Sequence, residues 1–153
     1  MDASTLVPNP PALMTRVVRE CHAQWVTPDQ LQDWAACGGD RVLLLAGDPV
    51  RFPEGQDVAA VLPELYKALP GRFAVGVVAR EHEDEIAARY GSQRWPTLLF
   101  LRDGGYVTAL VGMRDWDVFI QKVRQCLDMP LSRAPTIGIP VVSASSDAGC
   151  QTQ

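Results

Sequence analysis

Cysteine, histidine and paired carboxylates are the side chains best suited to exchanging disulfides, holding metals or moving protons, and their spacing decides which of these chemistries is open. The four cysteines, Cys21, Cys37, Cys126 and Cys150, stand singly, with no Cys-x-x-Cys pair and no repeated interval. A zinc knuckle needs closely spaced ligand pairs, and thiol exchange needs a thiolate aimed at the substrate disulfide. Neither pattern is present. Cys21 and His22 are adjacent, but neighbours on a helix diverge, and the chain has only two histidines. The expectation is no metal, no cofactor and no catalytic residue. The carboxylates form two groups: Asp48, Glu54 and Asp57 in or beside one loop, and Glu81, Glu83, Asp84 and Glu85 in a run. Charges on a polar helix ordinarily form a solvated face, and the second group is read that way. The first group fits either loop solvation with charge complementarity at a helix N-terminus, or partner binding.

Periodicity gives the elements that carry these residues. Over residues 10–21 the apolar Leu13, Met14, Val17, Val18 and Cys21 recur at three- and four-residue intervals after prolines suited to a helix start. Thr27, Pro28 and Gln30 supply an N-cap, a first-turn proline and a side chain able to bond back to the cap. They predict a short helix through Trp34 and Ala35 that Gly38 and Gly39 end. Residues 41–46 are a short apolar run, as expected of a central strand covered on both faces. A loop follows over 47–55, then a helix whose face carries Val58, Val61, Leu62, Leu65 and Leu69, with Pro63 inside it.

The second half reads as a strand over 72–79, a polar helix over 81–90 stopped by Gly91, and strands over 97–101 and 106–111 joined by a glycine-rich hairpin turn. A closing helix over 115–127 puts Trp116, Phe119, Ile120, Val123 and Leu127 on one face. Trp34 and Trp116 both lie on amphipathic stripes and are assigned to the core. Beyond Met129 small residues, proline and glycine predominate without a sustained period. The expected organisation is a flexible N-terminus over 1–9, one domain over 10–129 and a disordered tail over 130–153. Residues 137–142 of that tail are apolar enough to add to a sheet edge or dock on a partner.

A chain of 153 residues, 47% hydrophobic, can bury a full core, while a formal net charge of -4 gives no basic stripe for displacing counterions from phosphates. Nucleic acid is not an expected partner. No apolar run approaches the roughly 20 residues needed to cross a bilayer, and the first residues lack the charged and continuously apolar regions of a secretory signal. A cytoplasmic location without a membrane span is expected.

A strand–helix–strand half followed by a hairpin and a closing helix is the thioredoxin order, and RYGSQRWPTLLFLRDGGYVTALVGMRDWDVFIQKV resembles the thioredoxin C-terminal half. The resemblance implies an α/β thioredoxin-like fold, a mixed sheet of about four to five strands flanked by helices, with a flexible C-terminal tail. It also implies a cis bond before Pro96 that presents the backbone of Trp95 to an extended peptide. In thioredoxins the loop after the central strand carries the dithiol; here that loop is GDPVRFPEGQD, without cysteine. Residues 42–46 also lack the buried carboxylate that thioredoxins place in this strand to accept a proton.

The segments PALMTRVV, WVTPDQLQDW, VLLLAGDPVRFPE, RYGSQRWPTLLF and GMRDWDVFI together resemble the HyaE, HupG or HoxO family of hydrogenase accessory proteins. That resemblance implies a non-catalytic cytoplasmic chaperone for the twin-arginine signal-bearing small-subunit precursor of a membrane-bound uptake nickel–iron hydrogenase. Other hydrogenase accessory proteins are further partners it suggests. Two guanidinium groups and an apolar segment call for carboxylates beside an apolar groove. Asp48, Phe52, Glu54, Asp57, Trp95 and Pro96 are the partner-binding residues expected on that basis. Two alternatives stand beside it: a thiol-dependent oxidoreductase using Cys37 or Cys126, and a scaffold protecting an iron–sulfur subunit from oxygen.

Overall fold

A computed structural model describes residues 12–135. Among them five strands, β1 (Gln24–Trp25), β2 (Asp40–Leu45), β3 (Ala74–Val77), β4 (Thr97–Arg102) and β5 (Gly105–Val111), form one sheet in the order β1-β3-β2-β4-β5. The first three run parallel, β4 pairs antiparallel with β2, and β5 with β4. The helices are α1 (Ala12–Glu20), α2 (Leu31–Ala35), α3 (Glu54–Ala68), α4 (Arg80–Arg89) and α5 (Trp116–Leu127).

Successive side chains of a strand point to opposite faces, so an apolar run at the middle of a sheet must be covered twice. In β2, Val42 and Leu44 enter one buried cluster with residues of α1, α3 and α5, whereas Leu43 and Leu45 enter a second with α2 and α4. β4 divides in the same way, Leu98 and Phe100 against Leu99 and Leu101. The expected core strand is thus the wall between two cores, each holding helices in place from its own side.

The reciprocal bonds expected of Thr27 and Gln30 are present, the Thr27 amide donating to Gln30 Oε1 and the Gln30 amide to Thr27 Oγ1, both at 3.3 Å, but they close a turn over 27–30, and α2 begins only at Leu31 with Gln30 as its N-cap. Trp34 is buried, and Pro63 lies buried within α3. Three readings are corrected. β1 was not anticipated; it has two residues, both exposed, and so no alternation to read, yet it pairs with β3, and the Val26 amide next to it donates to the Val77 carbonyl at 2.9 Å. Trp116 is 40% exposed and not core: it opens α5 one turn before the buried Phe119, where the apolar stripe runs past the elements that cover it. Glu83, placed in a solvated run, is 2% exposed; Glu81, Asp84 and Glu85 are exposed as expected.

Of the expected tail, the described residues 130–135 lie against the domain. The Ser132 amide donates to the Tyr106 carbonyl at 2.8 Å, and Ala134 packs on the second core. Residues 136–153, including the apolar stretch over 137–142, and the expected N-terminal segment 1–9 lie outside the described residues.

Candidate functional site

The loop between β2 and α3 begins at Gly47, whose φ of +84° suits glycine, and a Cβ there would sit 2.7 Å from Trp95 Cβ. The Trp95 side chain therefore rests on the Gly47 backbone. The loop then turns on Asp48: its carboxylate accepts from the Arg51 amide at 3.0 Å, and its carbonyl accepts from the Phe52 amide at 2.7 Å. This turn brings the Phe52 ring over Trp95, stacked at 5.7 Å between centroids. Gly55, in the first turn of α3, packs so closely on β2's end that a Cβ would run into the Ala46 carbonyl oxygen.

The Trp95-Pro96 bond is cis, as the resemblance implied. Pro96 is buried, and its carbonyl accepts from the Gly112 amide at 2.9 Å, which ties this turn to the segment after β5. The indole nitrogen of Trp95 is buried without a hydrogen-bond partner. Glu54 and Asp57 are exposed in the first turn of α3, where negative charge complements the helix dipole, and Glu54 Oε1 lies 3.7 Å from where a Cβ on Gly112 would be. Close contacts thus link Asp48, Phe52 and Trp95, with Glu54 on the neighbouring helix turn facing Gly112. Asp57 stands further along α3, at the margin of this group. Beneath the loop, Leu13, Met14, Ala46, Gly47, Pro49 and Ala59 line an apolar recess of about 30 Å³, room for one small group.

The sequence reading missed two features. Arg51 extends over the Phe52 ring at 5.2 Å and sets a cation among the carboxylates. Glu83 reaches from the first turn of α4 to the end of β2, with both carboxylate oxygens 3.1 Å from the Gly47 nitrogen and Arg80 Nη1 3.4 Å from Oε1. Burial pushes this carboxyl above its ordinary value, against the pull of the Gly47 amide and of Arg80. β2 itself carries no carboxylate here, but α4 supplies one to the same strand end. Its signal was in the sequence: Glu83, Ile86, Ala87 and Tyr90 are buried positions at helical spacing along the helix that follows β3.

The thiols lie elsewhere. Cys37 is exposed beyond α2, its Sγ donating to the Asp33 carbonyl at 3.2 Å. Cys21 and Cys126 are buried, and burial pushes Cys21 up to about 11 and raises Cys126. Among the described residues no group of three His, Cys, Asp or Glu could hold a metal ion, and no helix is long and apolar enough to cross a membrane.

The sheet order, the cis proline and the cysteine-free loop define a thioredoxin-like protein. A mutant thioredoxin from Halobacterium salinarum has the same fold, with a TM-score of 0.56 at 18% identity, covering 71% of this chain and 92% of that one. The sequence profile of the family "Hydrogenase-1 expression protein HyaE" matches residues 13–119, and the chain belongs to that family. It is similar to the hydrogenase expression/formation protein HoxO of Cupriavidus necator, 54% identical over 92% of this chain and 88% of the relative. Hydrogenase expression/formation protein HupG of Bradyrhizobium diazoefficiens is 36% identical over 74% of this chain and 77% of its own length.

Proposed function

We propose that this protein is a non-catalytic, cytoplasmic chaperone of hydrogenase maturation that holds the twin-arginine signal-bearing small-subunit precursor of a membrane-bound uptake nickel–iron hydrogenase before export. Membership of a family of hydrogenase expression proteins supports the hydrogenase role. The observation that carries the binding mode is the cis Trp95-Pro96 turn beside Phe52, with Asp48 on the cysteine-free loop and Glu54 at the adjoining helix start. An extended client laid across this turn meets aromatic surface first and carboxylates at its margin. A redox role is disfavoured by the position of Cys37, beyond the opposite end of β2, and by the burial that keeps Cys126 a thiol.

Titration with the precursor tests the reading. Asp48→Asn combined with Glu54→Gln is expected to weaken binding by about 0.5–2 kcal/mol, less at high salt because these charges are partly exposed. Arg51→Gln is expected to strengthen it, since Arg51 occupies the aromatic face an incoming guanidinium would use. Affinity indifferent to both variants would remove this surface from the proposal. Equal affinity for the mature subunit without its signal would favour the protective scaffold instead.

A further inference from the structure

We propose that Glu83 is a positioning residue for this binding site: from α4 its buried carboxylate clamps the backbone at Gly47 and so sets the Trp95 indole against Phe52. The inference rests on the client reading above, but its first step is a property of the chain alone.

A carboxylate that is 2% exposed is costly unless its hydrogen bonds are satisfied, and an apolar residue would fill the same stripe of α4 at lower cost. Glu83 instead directs both oxygens to the Gly47 amide at 3.1 Å. Its side-chain counter-charge is Arg80 on its own helix, which is shared with Asp84 at 3.6 Å; the elements packed against it contribute backbone. The anchored peptide is the one on which Trp95 rests. Gly47 cannot shift toward Trp95, whose Cβ and indole carbons already stand 2.7–2.9 Å from where a Cβ would be. The Glu83 carboxylate ties the same residue to α4 through its amide. Trp95 in turn stacks on Phe52, and Phe52 is held by the Asp48 carbonyl. One interior acid on α4 therefore reaches three of the expected contact residues through a single backbone amide.

The test uses the full chain labelled with 5-fluorotryptophan, the Trp95 fluorine resonance being assigned with Trp95→Phe, and the signal-bearing precursor as binding probe. Glu83→Ala is expected to move or broaden the Trp95 resonance while leaving that of Trp116 in place, and to weaken precursor binding roughly two- to thirtyfold. Glu83→Gln, which keeps an acceptor for Gly47, is expected to restore both. Should the alanine variant fail to fold, Glu83→Asp serves, since one methylene less withdraws the carboxylate from Gly47. The aspartate must disturb Trp95 and the glutamine must not. A Trp95 resonance unmoved in a folded alanine or aspartate variant that binds less well, or one that glutamine does not restore, overturns the clamp. Wild-type protein that never binds the precursor overturns the client reading, and with it the binding role given to Glu83, whatever the Trp95 resonance does.

Discussion

Single residues separate two kinds of ionisable group in this protein, and their accessibility sets their behaviour. Cys37 is exposed, while Cys21 and Cys126 are closed off and kept protonated by burial. In a Cys150→Ser background at pH 8, a maleimide is expected to label one thiol of the native protein rapidly and three after unfolding, a count mass spectrometry reads directly. Glu83 behaves in the opposite sense to a surface carboxylate. Because its folded-state value is raised above the ordinary 4.5, the native state binds its proton more tightly than the unfolded chain. Its contribution to stability is complete below 4.5 and is lost as pH climbs through the raised value. Thermal unfolding of Glu83→Gln against wild type should therefore show the variant gaining with increasing pH from that point and then levelling off; a difference independent of pH would contradict the direction of the shift. This residue was half legible in the sequence. Its spacing with Ile86, Ala87 and Tyr90 placed it on the buried stripe, but a run of four acids masked the period. Phe52, Trp95 and Pro96 were legible from the motif around them, whereas the Gly47–Trp95 contact joins parts of the chain that no local pattern connects.

At the scale of elements, apolar content and period were enough for β2, β3, β4, β5 and the longer helices, because each buries surface on a regular repeat. β1 escaped, since two exposed residues held by backbone bonds carry no side-chain signal. Trp116 was misplaced because a helical stripe tells which face a residue occupies and not how far the covering elements extend. The junction of β2 and α3 is the tightest joint. Gly55→Ala would press a methyl on the Ala46 carbonyl, and backbone has little room to yield. The expected cost is about 1–3 kcal/mol in chemical denaturation, with weaker precursor binding as the loop is displaced. A neutral substitution would mean that the start of α3 is looser than its packing indicates.

The molecule as a whole is a sheet with two ends of different character. At one end β2 delivers Gly47 to the aromatic turn; at the other, Arg102 closes the fold. Its guanidinium bonds Asp40 at 2.6 Å and the carbonyls of Leu127 and Met129 at 2.8 Å each, joining β4, β2 and the exit from α5. Arg102→Met is expected to cost about 1–3 kcal/mol by leaving those acceptors without their donor, and to leave precursor affinity unchanged in the folded fraction. Loss of affinity there would show that the ends are coupled. The same polarity has a use in the laboratory. Cys37 precedes β2 and Gly47 follows it, so six residues of extended chain, roughly 20 Å, separate a natural attachment point from the surface proposed to receive the client. In the Cys150→Ser background, a sensor chip or fluorophore coupled through that sulfur would hold every molecule in one orientation, with the proposed client-binding rim turned to the solution.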